Sequence, residues 1–156
     1  MDSKGKFPMQ ISITNGGAME LIETNAFAVF QVMSNEFGNY EAKVLVCPAD
    51  TSRSPAKNFT TDFSRSTISY FVSLDASSSI PQMFLSGDRN LTTNGIPVRE
   101  GILPLTTNQI AGWTQEIHKS QGNVTMADGS VQGFSNRGLN AGLQNSGAVQ
   151  NRLAIP

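Results

Sequence analysis

Gly122-Asn-Val-Thr-Met-Ala-Asp-Gly-Ser-Val-Gln-Gly-Phe134 is the stretch whose reading decides the fold. Two runs with alternating apolar residues flank Asp128-Gly129, the dipeptide that best accepts positive φ at both centres of a type I′ turn. A two-residue loop predicts that Ala127 faces Ser130, Met126 faces Val131, Thr125 faces Gln132 and Val124 faces Gly133. Directly opposed residues share a sheet face. Val124, Met126 and Val131 are therefore expected on the buried face, with Ala127, Thr125, Ser130 and Gln132 on the other. Phe134 then falls on the polar side, so the second strand is expected to bend or end before it. The reading is a half-buried antiparallel hairpin.

Downstream, Ser135 can cap a helix running to Gln144, with Leu139 and Leu143 as a one-sided stripe and Gly147 as its stop. Gly138 and Gly142 each cost such a helix about 1 kcal/mol against alanine, which predicts that close packing holds it. Upstream, Asn94-Gly95, Pro97, Gly101 and Pro104 punctuate a loop-rich middle with short strands around 102–105 and 110–113. Residues 68–74 and 82–86 read as two strands joined by a Ser-rich connection, and the run 43–47, stopped by Pro48, reads as a short buried strand. Asn58 can cap a single turn through Phe59 and Phe63. Residues 18–37 carry the best helical pattern, with Ala26, Phe30, Met33 and Phe37 on one stripe. Thr24 or Asn25 stands at the start of that pattern and Gly38 at its end. Met9, Ile11 and Ile13 alternate between Gly and Pro residues and suggest an edge strand. These elements predict an α+β domain with a mainly antiparallel sheet, spanning 1–156 as one unit.

Composition narrows the function classes. The chain has 156 residues, 38% hydrophobic and only 15% charged, so its surface relies on Ser, Thr, Asn, Gln and Gly, a balance more typical of extracytoplasmic, fibre-forming or carbohydrate-contacting domains. A net charge of −1 supplies no electrostatic footprint for nucleic acid or an anionic membrane. No run of about 18 apolar residues occurs, so neither a bilayer span nor a signal peptide is expected. One cysteine and one histidine allow no internal disulfide and no zinc site of the usual Cys/His kind.

Four features stand in order along the chain. Cys47-Pro-Ala-Asp50 follows one predicted strand and Gly87-Asp-Arg-Asn90 another; His118 precedes Asp128-Gly129 by nine intervening residues; and Asn151-Arg-Leu-Ala-Ile-Pro156 closes the chain. In these features, over essentially its whole length, the chain resembles the prepilin-type H-x9-D-G-containing proteins of Verrucomicrobia and Planctomycetes, which are similar to pseudopilins of type II secretion systems. The resemblance implies a pilin-like globular head with an N-terminal helix and a short C-terminal helix. It assigns structural roles to the motif residues Cys47, Pro48, Asp50, Gly87, Asp88, Arg89, Asn90, His118, Asp128 and Gly129. It further implies a structural subunit rather than an enzyme, placed in the periplasm or cell envelope, with other pilin-like or secretion-system subunits as partners. Family members begin with a prepilin cleavage site and a long apolar anchor helix. This sequence starts about where that helix should end, so membrane contact is expected only through a helix absent here, and the chain as given is expected to be a monomer. A soluble extracytoplasmic binding module, for glycans, is the alternative.

The chemistry-bearing residues fit that reading. His118 as a catalytic base would need a nucleophile and an orienting carboxylate, and no Ser-His-Asp or Cys-His spacing is recognisable. It reads instead as capping a turn or bonding backbone at a strand end. A dyad with Asp128 is not expected, because the strand between them carries Asp128 roughly 16 Å from its base. Cys47, in an apolar run, reads as a buried, inert thiol; the resemblance leaves open a lost disulfide partner. The carboxylates of Asp50, Asp75, Asp88 and Asp128 raise calcium, which major pseudopilins bind, but no D-x-D-x-D-G spacing occurs. Asp at turns more often makes Asx hydrogen bonds, and no cofactor is expected. Tyr40, Tyr70 and Trp113 could form a sugar platform, but rings so far apart in sequence are more often core.

Overall fold

The computed structural model describes residues 5–38 and 42–156, which fall into two compact units, one ending at Ser69 and one running from Tyr70 to Pro156. Together they are α+β, with antiparallel sheets and a few short helices.

The first unit contains helical turns rather than the expected strand and long helix. Residues 18–37 form a 3₁₀ turn at Met19–Leu21 and two short helices, α1 (Ile22–Asn25) and α2 (Ala28–Val32). Two physical reasons break the expected helix. Thr24 turns its hydroxyl back onto the Leu21 carbonyl (3.2 Å), competing with the helical ladder. In addition, Ala26, Phe27, Ala28, Val29 and Phe30 are all buried, so the segment is enclosed on every side and packing overrides the one-sided stripe. The run 43–47 is likewise not a strand but ends a 3₁₀ helix, Ala42–Leu45. Ala42 and Leu45 are buried while Lys43 and Val44 are exposed, a period of three that suits i→i+3 geometry. A continuous apolar run does not by itself distinguish the two. The edge strand expected around Met9, Ile11 and Ile13 is replaced by 3₁₀ turns at Pro8–Gln10 and Ile13–Asn15, Pro8 supplying the preset φ at the first position. Asn58 does cap a turn, its Oδ1 accepting from the backbone N–H groups of Thr60 (2.9 Å) and Thr61 (2.8 Å). Tyr40 lies outside the described residues.

The second unit is built on a six-stranded antiparallel sheet ordered β5-β9-β1-β2-β7-β8. Its strands are β1 (Tyr70–Ser73), β2 (Phe84–Asp88), β5 (Gly101–Thr106), β7 (Gln121–Met126), β8 (Val131–Ser135) and β9 (Gln150–Ile155). A smaller sheet, ordered β4-β3-β6, comprises β3 (Leu91–Thr93), β4 (Ile96–Pro97) and β6 (Ala111–Trp113). Helix α3 (Asn136–Gln144) starts at the expected cap, with the Ser135 hydroxyl accepting the Gly138 N–H at 3.2 Å. Leu139 and Leu143 enter a core with Phe71, Phe84, Leu105, Trp113, Val124, Met126 and Leu153. The two helix glycines face an aromatic ring: a Cβ at Gly138 would lie 3.2 Å, and one at Gly142 3.0 Å, from carbons of Phe134. Phe134 in turn packs on Phe84, ring centroids 6.1 Å apart.

The hairpin exists, but its register differs by one residue from expectation. Thr125 pairs with Val131, Val124 with Gln132 and Gly122 with Phe134. Among residues 127–129 only Gly129 has positive φ (+85°). Its N–H bonds the Met126 carbonyl (2.9 Å), and the Met126 N–H bonds Ser130 (2.8 Å). This is a three-residue loop, a type I turn followed by a bulged glycine. The type I′ turn occurs elsewhere, at Asn94-Gly95, where φ is +51° and +79° and β3 returns as β4. A one-residue slip moves a strand's side chains to opposite faces. Val131 is consequently not in the core but 66% exposed, and Phe134 joins the core face that the two-residue loop denied it.

Replacing Gly129 with Val is expected to destabilise by more than about 1 kcal/mol, since a β-branched residue is strained at that φ. Asp128→Asn should stay within about 0.5 kcal/mol, because the amide oxygen can still accept from Ser130. Chemical denaturation of both variants measures the contrast.

Candidate functional site

Gly87, Asp88, Arg89, Asn90 and His118 gather where β2 hands over to β3, apart from Asp128 and Gly129 at the hairpin tip. Gly87 pairs with Phe71 on one side and Val124 on the other. A Cβ there would lie 2.8 Å from the Phe71 ring and 2.7 Å from the Asn123 carbonyl, so glycine lets the ring cross the strand. Asp88, 1% exposed, ends β2 and extends the ladder to β7 through its side chain, Oδ2 accepting the Asn123 N–H at 2.7 Å. The same oxygen lies 3.7 Å from Nε2 of His118, whose side chain is one-third exposed. That separation is a contact between charges when the imidazole is protonated, not a hydrogen bond. Arg89 approaches Glu116 at 3.8 Å.

Asn90, buried, grips the loop that leads to the histidine. Its Nδ2 donates to the carbonyls of Thr114 (3.2 Å) and Ile117 (3.1 Å), and its backbone carbonyl accepts the Thr114 N–H (2.7 Å). Asn90 Oδ1 and Trp113 Nε1 are buried without a hydrogen-bond partner among the described residues. Three consecutive residues, His118, Lys119 and Ser120, then take left-handed φ of +52°, +53° and +64°, a run that L-residues seldom adopt. The turn delivers the chain to β7, where Gly122 lies against the Trp113 indole; a Cβ there would come within 2.7 Å of the ring.

The histidine and the Asp-Gly of its motif have separate surroundings. The carboxylate beside His118 belongs to Asp88, thirty residues earlier. Asp128 serves the turn, its Oδ1 accepting both the N–H (2.8 Å) and the hydroxyl (2.7 Å) of Ser130. Those two donors hold its carboxyl below the usual range. Two roles were not anticipated from the sequence. The closing segment Asn151-Arg-Leu-Ala-Ile-Pro156 is mostly strand β9, inserted between β5 and β1. From it, Asn151 accepts from the Ser73 hydroxyl (2.5 Å) and donates to the Phe84 carbonyl (2.8 Å), bridging to β2 where β1 stops. Arg152 holds Asp75 through Nε (3.0 Å) and Nη2 (2.7 Å), and its backbone N–H reaches the same carboxylate at 2.8 Å. Burial pushes the Asp75 carboxyl up, but the arginine's side-chain and backbone donors and its charge together bring it below the ordinary value. Second, Asn136 and Asn140, one turn apart on α3, dress the backbone of β6. Asn136 Oδ1 accepts the Trp113 N–H (2.8 Å), Asn140 Oδ1 accepts the Ala111 N–H (2.8 Å), and Asn140 Nδ2 donates to the Ala111 carbonyl (2.6 Å). Asparagines at i and i+4 on a predicted helix are the sequence signal for such a role.

In the first unit, Cys47-Pro48-Ala-Asp50 is a turn closed by the Asp50 N–H on the Cys47 carbonyl (2.9 Å). Pro48 occupies the position whose φ it presets, and Cys47 is buried. Asp50, also buried, accepts the Ser52 hydroxyl (2.8 Å) with one oxygen and the Ser69 hydroxyl (2.9 Å) with the other. The four carboxylates considered for calcium are thus each engaged by protein donors. Tyr70 is half-buried and Trp113 is in the core. Compared with protein-family models, curated proteins and solved structures, the chain has no significant match.

Asp88→Ala is expected to cost about 2–3 kcal/mol, because it leaves the Asn123 N–H without its charged acceptor. His118→Ala, at a partly exposed ring, should cost less than about 1 kcal/mol. Equal losses in denaturant melts would contradict this ranking. Acid provides a second check. A carboxylate with depressed pKa contributes stability above its unfolded value and loses that contribution as pH falls through its folded one. For Asp75 that places the loss below about pH 4. Thermal melts of Arg152→Leu are expected to show a shallower acid limb there than the parent chain.

Proposed function

We propose that this chain is the globular head of a pseudopilin-like protein, a structural subunit of a type II secretion or type IV pilus-like assembly in the periplasm or cell envelope. It acts by packing and surface contact rather than by catalysis. One observation carries the reading: the residues that bear the resemblance are occupied in fixing backbone. Gly87 makes room for a ring, Asp88 caps the β2–β7 ladder, Asn90 grips the loop before His118, Asp128 and Gly129 shape a turn, and Asp50 closes another. Among the described residues no helix is long and apolar enough to cross a membrane. The partners proposed for the head are other pilin-like or secretion-system subunits.

The alternative, a glycan-binding module, draws on an aromatic stack in the first unit. Phe37 and Phe59 lie face to face, centroids 5.6 Å apart and 8° from parallel, with Phe63 5.3 Å beyond Phe59. All three rings are half-buried beside the exposed side chains of Asn58, Thr60 and Thr61. One experiment separates the two readings. The immobilised chain is crosslinked to an envelope fraction of its native host, and the bound proteins are identified by mass spectrometry, with a glycan array in parallel. Enrichment of subunits that carry prepilin processing sites is expected. Glycan binding that Phe59→Ala abolishes, with no such subunits captured, would replace this reading with the second.

A further inference from the structure

The two edges of the six-stranded sheet are built differently. Edge strand β5 carries Pro104, which has no N–H to offer a new strand, and begins at Gly101 with φ +123°; both features blunt an edge. Edge strand β8 reads Val131-Gln-Gly-Phe-Ser135 and has neither a charge nor a proline. The Met126–Ser130 bond and the β7–β8 register place the backbone polar groups of Gln132 and Phe134 towards β7. Those of Val131 and Gly133, with the Ser135 N–H, then point outward, since antiparallel pairs alternate, while the Ser135 carbonyl begins the α3 ladder. Among the described residues no strand pairs with this edge, and the Val131 side chain is 66% exposed. Its outward groups are complementary to an extended strand.

Charge selects the strand. Asp128 stands three residues before β8, exposed at the hairpin tip, with Ser130 engaging only its Oδ1. Arg137 stands two residues after β8, exposed in the first turn of α3. A cation there opposes the helix dipole, so the site calls for an anion from outside the helix. We propose that β8 pairs antiparallel with β8 of a second copy of this chain, about a two-fold axis at Gly133. Val131 then faces Ser135 of the second copy, Gln132 faces Phe134, and glycine meets glycine at the centre. The arrangement carries the Asp128 tip of each copy to the Arg137 turn of the other, twice by symmetry. The result is an isologous contact that continues one sheet across two molecules. It does not depend on the pseudopilin reading.

A five-residue strand buries far less than the roughly 1,200 Å² of stable complexes, so the pairing is weak and concentration-dependent. Sedimentation velocity of the chain from about 20 µM to about 1 mM, a range chosen for that small interface, is expected to show a rising weight-average coefficient. Hydrogen exchange at the Val131 and Gly133 amides should slow over the same range. Val131→Lys, a gatekeeper charge at an exposed position, should abolish the rise. Arg137→Glu, which sets like charges together, should weaken it. A flat coefficient for the parent chain would overturn the proposal, as would a rise that both variants leave unchanged.

Discussion

Strand β9 is the element on which the second unit depends. β9 lies between β5 and β1, so without it β5 has no partner and β1 exposes an edge. Its ladder with β5 runs from Gly101–Ile155 to Thr106–Gln150, while its ladder with β1 covers Val72–Ala154 and Ser73–Leu153 and ends on the Leu74 N–H at the Arg152 carbonyl (2.8 Å). The shorter seam is reinforced by side chains. Asn151 reaches past the end of β1 to the Phe84 carbonyl, and Arg152 clamps Asp75 at the start of the connection leaving β1. Joining Asp75 to Arg152 closes a loop of seventy-odd residues, and the entropy of that closure precedes the contacts that reward it. Loop closure therefore favours pairing of β1, β2, β7 and β8 before β9 completes the sheet.

Packing in the core follows one device, an aromatic ring laid against a glycine. Phe71 crosses β2 at Gly87, Trp113 covers β7 at Gly122, and Phe134 rests on α3 at Gly138 and Gly142. In each case the ring's neighbour is backbone; a Cβ would block the approach at Gly87 and Gly122 and crowd it at Gly138 and Gly142, which gives the contact a defined position. The helix glycines reduce intrinsic helicity, and the burial of Leu139, Leu143 and the Phe134 ring opposes that loss. Asn136 and Asn140 add a polar tie from the same helix to β6. This short helix is therefore positioned by tertiary contact more than by propensity.

Much of this was legible in the sequence, and the misreadings have identifiable causes. Ser135 to Gln144 was readable because cap chemistry and a leucine stripe agree. The hairpin was readable as a hairpin but not in register, because Asp-Gly serves both the two-residue turn and the bulged three-residue turn. Only the placement of Phe134 signalled the difference. Residues 18–37 were misread because the stripe of one helical face runs through 26–30, where every residue is buried and packing overrides the period, and 43–47 because four apolar residues in a row suit a strand and a 3₁₀ turn alike. β9 was missed as a strand because its Asn and Arg interrupt the apolar alternation; they face partners that only the fold supplies. The same distance hid the site, since Asp88 and His118 are thirty positions apart and nothing local couples them.

The spacing of nine residues between His118 and Asp128 has its own structural meaning. Lys119 and Ser120 complete a left-handed turn, Gln121 to Met126 is strand β7, and Ala127 opens the hairpin loop: two residues, six and one. The interval therefore measures one strand with its entry and exit, and it places the imidazole and the Asp128 carboxylate at opposite ends of that strand. The entry is the costly part, because left-handed φ at three successive L-residues carries strain on the order of 1 kcal/mol each. Such a conformation persists only where its surroundings over-determine it. Here Asn90 fixes the loop before the turn, Asp88 fixes the Asn123 N–H after it, and Gly122 seats the emerging strand on Trp113. Gly87, Asp88, Asn90 and His118 thus act together on one strained connection. Loss of Asp88 or Asn90 is accordingly expected to be felt first as misplacement of β7, on which β8 in turn depends.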